Sequence, residues 1–145
     1  MVAVRVVLDT DVLVAALRSD RGASRALLVR ALEGHCLPLV SVPLMIEYEA
    51  VLTRPEHLLA SRLSHADVQT LLDALAVVGE PIRLSYLWRP ALPDPQDDMV
   101  LETAVNGRAD LLVTFNLRHF KPAARNFGLS ILTPVEALRW MEKRP

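Results

Sequence analysis

The sequence contains a single cysteine and almost no net charge. Because Cys36 has no second cysteine within the chain, an internal disulfide is excluded. No neighbouring set of Cys and His ligands accompanies it, so the spacing does not indicate a zinc site, and we expect Cys36 to be a small buried hydrophobe. The formal net charge of -1 and the isoelectric point near 6.4 give no overall electrostatic attraction to nucleic acid.

Long hydrophobic runs are also missing, although 52% of the residues are hydrophobic. The apolar residues lie in short runs, none of which approaches the roughly 18 residues needed to cross a bilayer. The first residues, MVAVRVVLDT, enter an apparent strand at once, without the basic region and cleavage site of an export signal. We therefore expect no membrane association and a cytoplasmic location. The length of 145 residues predicts one domain over 1–145.

Two short stretches are nevertheless rich in basic side chains. One follows the first predicted helix and the other follows the last core strand; their members are Arg18, Arg21, Arg25, Arg118, His119, Lys121 and Arg125. These residues either gather positive charge near particular loops or form an ordinary solvated surface, and the sequence leaves both interpretations open.

Short apolar runs alternate with helical patterns along the chain. The runs over residues 4–8, 37–42, 111–114 and 130–132 have the composition of buried parallel strands. Between them, helical periodicity is found over residues 12–17, 24–33, 43–52, 64–78, 95–106 and 134–141. Strands that alternate with helices imply crossover connections, and the sequence therefore predicts an α/β sheet covered by helices on both faces.

Local chemistry marks several boundaries of these helices. Ser64 with Asp67, and Thr133 with Glu136, have the cap and first-turn acid that a helix start requires. Residues 87–95 include three prolines, which predict an extended loop leading into the fifth helix.

Asp9 is the first acid at a position expected to be functional. It directly follows an apolar strand, and in an open α/β sheet the ligand site lies beyond the carboxyl ends of the strands. Thr10 or Asp11 can cap the helix that follows, and capping is the interpretation we favour for Asp11. Asp9 has no such structural explanation, so it is a candidate for the site.

The helix over 43–52 carries two acids, which helical spacing separates. Glu47 shares the apolar stripe with Leu44, Tyr48 and Val51, whereas Glu49 falls off that stripe. An acid on a buried stripe is costly unless a cation meets it, so a partner arginine or a position at the edge of the solvent is the structural alternative. The presence of Asp9 makes Glu47 the second candidate.

The segment DPQDDMVLETAV supplies the third acid. Asp94 is well placed as the cap of its helix, and a carboxylate at Asp97 suits the helix dipole, so capping explains much of the motif. Asp97 nevertheless lies on the stripe that faces the sheet. Asp98 lies one step round the helix, and the sequence does not decide which of the two acids is functional.

Thr114 and Asn116 repeat the pattern of polar residues at a strand end, in LLVTFN. Their structural interpretation is a strand-to-turn junction, with Asn116 capping a short turn over NLRHF. Four separate segments therefore converge on one edge of the predicted sheet.

Carboxylates that share a small site repel one another, and bound divalent cations relieve the repulsion. Oxygen ligands favour magnesium or manganese. Such an ion polarises a phosphoryl oxygen and activates water, which phosphodiester hydrolysis requires. The sequence does not decide between one ion and two.

Taken together, five segments resemble the PIN-domain family, in particular its subgroup of toxin components of toxin–antitoxin pairs related to VapC toxins. The segments are VVLDTDVLVAAL, SVPLMIEYEAVLTRPE, DPQDDMVLETAV, GRADLLVTFNLRHF and GLSILTPVEAL. They span nearly the whole chain in the family's order, which makes the match specific although each segment alone is weak. The resemblance implies a PIN-like three-layer sandwich with a central, mostly parallel sheet flanked by helices, and a Mg²⁺- or Mn²⁺-dependent endoribonuclease acting on RNA.

The resemblance also implies roles for individual residues. Asp9 corresponds to the family's first acid, Glu47 to the second and Asp97, or else Asp98, to the third. The implied metal ligands are therefore Asp9, Glu47, Asp97 and Asp98, and the implied catalytic set adds Thr114 and Asn116. The partners implied are an RNA substrate, an antitoxin protein that covers the acidic site, often with an inserted arginine, and a second copy of the chain.

The chain departs from the family pattern at three positions. Asp11 stands where family members often have Asn, which adds charge beside the metal. Members also often carry an acid near the Asn116 position or at the His119 position, and neither is an acid here. The loss of that fourth acid puts a second metal site in question and favours, as an alternative, a catalytically weak module that binds RNA or a protein partner.

A haloacid-dehalogenase-type phosphatase is the other alternative, because VLDTDVL has the two acids that such an enzyme uses as nucleophile and as acid and base. That class requires a Thr motif, then a lysine followed by an acidic pair. Here Asp97 and Asp98 precede Thr114 and no suitable pair follows, so the order of the motifs disfavours it.

Overall fold

The computed structural model of the chain describes residues 3–85, 95–125 and 127–143. Within these ranges strands and helices alternate, in this order: β1 (Arg5–Leu8), α1 (Thr10–Arg18), α2 (Ala23–Leu32), β2 (Leu37–Val40), α3 (Val42–Leu52), α4 (Pro55–Ser61), α5 (His65–Val78), β3 (Glu80–Pro81), α6 (Pro95–Asn106), β4 (Leu111–Val113), α7 (Leu117–Ala124), β5 (Ser130–Leu132) and α8 (Pro134–Glu142).

The strands form a five-stranded sheet in the order β3-β2-β1-β4-β5, and all its strand pairs are parallel. β1 lies at the centre, where Val6 pairs with Pro38 of β2 on one side and with Leu111 of β4 on the other. Val6 and Val7 are fully buried, as expected for a strand that is covered on both faces. The carboxyl ends of β1 and β4 consequently lie side by side.

Helices cover this sheet. α2 packs against α1 and α8, and α8 in turn contacts β4 and β5. α6 contacts β1, β2 and β4, and it also packs against α3 and α7. The predicted α/β architecture with a central sheet flanked by helices is confirmed, and the sheet is entirely parallel rather than mostly so.

The four strands predicted from the sequence are all present, while three short elements were missed. β3 has only two residues, which is too short for a hydrophobic pattern. α4 begins with a proline in its first turn at Pro55, a helix-start signal that was available in the sequence. α7 replaces the short turn expected over NLRHF. The proline-rich loop and the Asp94 cap lie outside the described residues, apart from Pro95, where α6 begins.

Both helix starts predicted from capping motifs are confirmed. Ser64 and Asp67 form a reciprocal capping box at α5, and Thr133 and Glu136 form one at α8. Hydrogen bonds from the backbone N–H groups of Ser64 and Thr133 hold the pKa values of these two acids below their ordinary values.

The described residues bear on the expectations for membrane-spanning helices and for Cys36. None of their helices combines the length and the apolarity needed to cross a membrane. Cys36 is 2% exposed, and burial raises the pKa of its thiol to about 11. It is therefore the buried, unreactive hydrophobe that the sequence predicts.

Arg5 connects β1 to its neighbours at the edge of the sheet opposite the carboxyl ends. Its guanidinium forms a two-pronged ion pair with Glu80 of β3 and donates to the carbonyl of Gly107 after α6. Its backbone N–H also donates to the Asp110 carboxylate just before β4. The one charge within the apolar run of β1 therefore fastens three segments at this edge.

Gly79 lies where α5 ends against β2, and the close approach of two backbones there requires a glycine. A Cβ atom at this position would lie 2.8 Å from the Leu75 carbonyl oxygen and 2.9 Å from that of Pro38. Both atoms belong to the backbone of packed elements, so neither can move aside as a side chain would. The α5–β2 contact consequently depends on the missing side chain.

We predict that Gly79→Ala lowers the free energy of unfolding by about 1–3 kcal/mol, because the added methyl group overpacks a backbone contact. Urea denaturation followed by circular dichroism measures this change. Gly22→Ala is the matched control, since its Cβ would meet only Ser19 side-chain atoms at 3.5 Å and beyond. Equal stabilities of the two variants would contradict the prediction.

Candidate active site

The Asp9 carboxylate lies where β1 ends and α1 begins, and it is only 5% exposed. Its Oδ1 accepts a hydrogen bond of 2.7 Å from the Thr10 N–H, and Asp9 is the N-cap of α1. Its own N–H donates to the Val113 carbonyl at the end of β4. The expectation that Thr10 or Asp11 caps this helix is therefore wrong, because the helix begins immediately after the strand and Asp9 occupies the capping position.

Thr114 fixes the other oxygen of this carboxylate. The fully buried Thr114 hydroxyl donates to Asp9 Oδ2 at 2.7 Å and accepts a hydrogen bond of 2.9 Å from the Asn116 N–H. Both Asp9 oxygens are therefore held, one by the helix and one by the end of β4. The role of Thr114 is to orient Asp9, and the side chain does not line the cleft described below.

Asp11 connects the first turn of α1 to the segment after β4. Its Oδ2 accepts hydrogen bonds from the Phe115 N–H at 3.1 Å and from Nδ2 of Asn116 at 3.2 Å. Its Oδ1 is buried and has no hydrogen-bond partner among the described residues. A buried carboxylate oxygen without a donor is unfavourable, and a bound cation would stabilise it.

The electrostatics of the two acids reflect this crowding. Burial raises the pKa of Asp9, and the charge of Asp97 raises it further, while the hydrogen bond from Thr114 opposes both effects. Burial, followed by the charge of Asp9, raises the pKa of Asp11 to about 7. Without a cation the cluster therefore retains protons at pH values where isolated aspartates are ionised.

α3 brings Glu47 to the same place. Ser41 caps this helix, and its hydroxyl also hydrogen-bonds to the Thr103 hydroxyl of α6 at 2.8 Å. Tyr48 is buried and donates its hydroxyl proton to the Leu8 carbonyl, the last of β1. These contacts set the rotation of α3, so that Glu47 is half-buried beside Asp9 while Glu49 is exposed, as the helical spacing predicts.

α6 presents Asp97 in its first turn. Asp97 is 7% exposed, and its Oδ2 lies 3.0 Å from Nδ1 of His119 in α7. Asp98 is more deeply buried, at 2% exposure. Of the two acids, only Asp97 is among the described residues that line the cleft. The structure thus distinguishes the two positions that the sequence left open.

These side chains surround one open cleft of about 330 Å³ beyond the carboxyl end of β1. It brings together four of the six residues predicted for the site, namely Asp9, Glu47, Asp97 and Asn116. Thr114 and Asp98 are buried and are not among its lining residues. The remaining lining residues are Thr10, Asp11, Val14, Val51, Arg54 and His57.

Sequence reasoning missed Arg54 and His57 among the polar lining residues and explained Thr10 and Asp11 as structural. Asp11 was interpreted as a cap because a polar residue just before a predicted helix commonly caps it. Arg54 and His57 lie at the junction of α3 and α4, and α4 itself was not predicted. The two basic stretches noted in the sequence are not among the described residues that line the cleft.

The donor set indicates which metal this cleft suits. Within residues 3–85, 95–125 and 127–143, no three His, Cys, Asp or Glu side chains are grouped closely enough to hold an ion between them. Mg²⁺ usually keeps several waters and is bound through only one or two carboxylates. The carboxylate oxygens of Asp9, Glu47 and Asp97, with the unpartnered Oδ1 of Asp11, fit a hydrated Mg²⁺ or Mn²⁺ ion better than a closed cage.

We predict that Thr114→Val lowers the free energy of unfolding by about 1–3 kcal/mol, because it leaves a buried Asp9 oxygen without its donor while keeping the side-chain shape. Urea denaturation at neutral pH measures the change. Thr114→Ser retains the hydroxyl and is the control, with an expected loss of no more than about 1 kcal/mol for one methyl group. A Val variant as stable as the Ser variant would contradict this assignment.

Asp11 gives the metal-free protein an unusual dependence of stability on pH. Its pKa is 3.8 as an isolated group and about 7 in the folded chain, so between these values the folded state binds more protons than the unfolded state. The free energy of unfolding therefore falls as the pH rises through this window and is recovered below it. In EDTA, we expect the melting temperature to fall with rising pH and Asp11→Asn to reduce that fall. An identical pH profile for both proteins would refute the prediction.

Comparison with known proteins identifies the family. The family model for the PIN domain matches residues 5–118, which include β1 through β4 and all the residues around the cleft. No curated protein sequence matches the chain. Among solved structures, a chain in the crystal structure of VapBC2 from Rickettsia felis bound to a DNA fragment from their promoter has a similar fold, with a TM-score of 0.59 and 18% identity over 88% of this chain and 98% of that one. The chain belongs to the PIN-domain family.

Proposed function

We propose that this protein is a metal-dependent endoribonuclease, of the kind that acts as the toxin of a toxin–antitoxin pair. One observation carries the proposal: carboxylates from three distant segments, Asp9 and Asp11, Glu47, and Asp97, line one open cleft at the carboxyl ends of the parallel strands. Such a cleft attracts divalent cations and repels an unaccompanied polyanion. A phosphodiester therefore enters it together with the metal that neutralises the acids.

In this proposal Asp9, Glu47 and Asp97 would hold a hydrated ion, one or two of them directly and the others through its waters, with Asp11 as a further oxygen donor. The bound metal supplies a polarised phosphoryl oxygen and an activated water. Thr114 orients the Asp9 carboxylate, since its hydroxyl holds one oxygen of that group. Asn116 lines the cleft and donates to Asp11, which keeps the latter from turning away.

His119 gives the Asp97 carboxylate a second anchor. The two side chains are 3.0 Å apart, and the His119 side chain is 48% exposed. Members of the family often carry a fourth acid at the His119 position. We propose that Asp11, which lines the same cleft, supplies the fourth carboxylate in this protein.

The proposed partners follow from the chemistry of the cleft and from the likeness to VapBC2. An antitoxin that inserts a basic side chain would neutralise the acidic cleft and exclude RNA. We also propose that the chain acts as one domain over residues 1–145, in the cytoplasm, and as a homodimer or a higher homo-oligomer. In and after α4, Leu59 is 83% exposed and could contribute to such an interface, whereas Leu58 and Leu63 pack partly against the core.

A catalytically weak module that binds RNA or a protein partner is the main alternative. It is favoured by the absence, among the described residues, of a preassembled group of three metal-binding side chains.

The phosphatase alternative has less support. Its second acid would have to be free to transfer a proton, whereas Asp11 is tied to Phe115 and Asn116, and no lysine is among the described lining residues.

We predict that the purified protein cleaves a mixed pool of RNA with Mg²⁺ or Mn²⁺ but not with EDTA, and that Asp9→Asn reduces cleavage about a hundredfold or more. Asn remains a good N-cap, so the variant is expected to keep its fold. Glu49→Gln, an exposed change on the same helix as Glu47, is the control and is expected to cleave normally.

The same experiment distinguishes the alternatives. A phosphomonoester is assayed in parallel, and its turnover without RNA cleavage would support the phosphatase. Isothermal titration with Mn²⁺ measures metal binding independently of activity and is expected to be weakened in Asp9→Asn. Binding of Mn²⁺ without cleavage of any RNA in the pool would overturn the nuclease proposal and favour the binding module.

A further inference from the structure

The cleft has a basic side as well as an acidic one. Arg54 and His57 are among its lining residues, and they enter from the junction between α3 and α4. α4 packs against α1 and α3, the helices that carry Asp11 and Glu47. Two side chains that bear or can bear positive charge therefore lie on the same cleft as the proposed metal ligands.

The backbone at this junction is firmly held. The Arg54 N–H donates to the Val51 carbonyl at 3.1 Å, and the Arg54 carbonyl accepts from the N–H groups of His57 at 2.9 Å and Leu58 at 3.0 Å. Both side chains consequently start from fixed positions at the edge of the cleft, so little conformational entropy of the backbone is lost when they engage a ligand.

The Arg54 side chain, by contrast, is not engaged. Arg54 is exposed, and its guanidinium forms no ion pair or hydrogen bond with any residue in the described ranges, although carboxylates line the same cleft. A structural arginine usually meets a carboxylate, as Arg5 does with Glu80 in this protein. The Arg54 guanidinium is thus available to a ligand that enters the cleft.

His57 has a related property. Its Nδ1 is buried and has no hydrogen-bond partner among the described residues. The ring nitrogen left to contact a ligand is therefore Nε2.

We propose that Arg54, assisted by His57, binds a phosphate group of the RNA backbone next to the phosphodiester that is cleaved, an inference that rests on the proposed function. A guanidinium donates in a forked geometry that matches two phosphate oxygens. The carboxylates bind the metal cation, and Arg54 binds a phosphate group of the RNA. Acidic and basic side chains of the same cleft therefore contact different parts of the metal-bound RNA. This contact does not depend on the bases, so it contributes affinity without sequence preference.

The test measures RNA binding apart from cleavage. All proteins carry Asp9→Asn, and a fluorescently labelled single-stranded RNA of mixed sequence is titrated in Mg²⁺ at several salt concentrations. Arg54→Gln is expected to weaken binding about tenfold at low salt, as for loss of a charged hydrogen bond. It is also expected to reduce the slope of log affinity against log salt by about 0.7, the value for one phosphate contact on a single strand.

Two further variants make the result specific. Arg62→Gln is the matched control, because Arg62 is an exposed arginine at the other end of α4 and is not among the residues of the cleft. It is expected to leave the affinity and the salt slope unchanged. Arg54→Lys retains the charge without the fork, so it is expected to restore the slope and only part of the affinity.

The remaining outcomes separate this inference from the proposed function. Arg54→Gln is also made without Asp9→Asn for the cleavage assay. If it cleaves RNA as the parent does, and in the Asp9→Asn background binds RNA as tightly, the phosphate contact is refuted and the nuclease stands. If the parent cleaves no RNA but binding still depends on Arg54, the contact stands without the nuclease. A loss of Mn²⁺ binding or of thermal stability in both Arg54→Gln and Arg54→Lys would refute the inference, because Arg54 would then support the acidic cluster itself.

Discussion

The site depends on one buried carboxylate. Asp9 ends the central strand, caps the helix that follows and receives the Thr114 hydroxyl from the adjacent strand, so a single side chain joins three backbone segments. Burial raises the pKa of Asp9, which means that these hydrogen bonds hold a group whose charged form the surroundings disfavour. The carboxylate is held in place by its neighbours, and the remaining acids are arranged around it.

Buried neutral hydrogen bonds help to orient the helices that bring those acids. The Tyr48 hydroxyl reaches the Leu8 carbonyl at the end of β1, and the hydroxyls of Ser41 and Thr103 connect α3 with α6. Because these bonds are buried, they fix the rotation of both helices without placing further charge near the cleft. These neutral bonds do not offset the repulsion among the carboxylates, which a bound cation would reduce.

The predictions that succeeded rest on patterns that local physics imposes. Four buried strands could be predicted from apolar runs, and the exposure of Glu49 against the half-burial of Glu47 follows from the helical repeat alone. The interpretation of Asp11 as a cap was wrong because sequence cannot tell at which of three adjacent polar residues a strand becomes a helix. The sequence left Asp97 and Asp98 as alternatives for a similar reason, since the two differ by one step around a helix.

The sequence by itself determined the α/β class, the order of the main elements and the set of acids at strand and helix ends, because each depends on neighbours close in the chain. Tertiary structure alone decided which of the candidate residues line the cleft and which further residues join them. Arg54 and His57 arrive on a helix too short for its periodicity to be recognised, and Asp11 is bound by residues more than a hundred positions away. Contacts between such distant segments are set by the packing of the helices on the sheet, which no local pattern encodes.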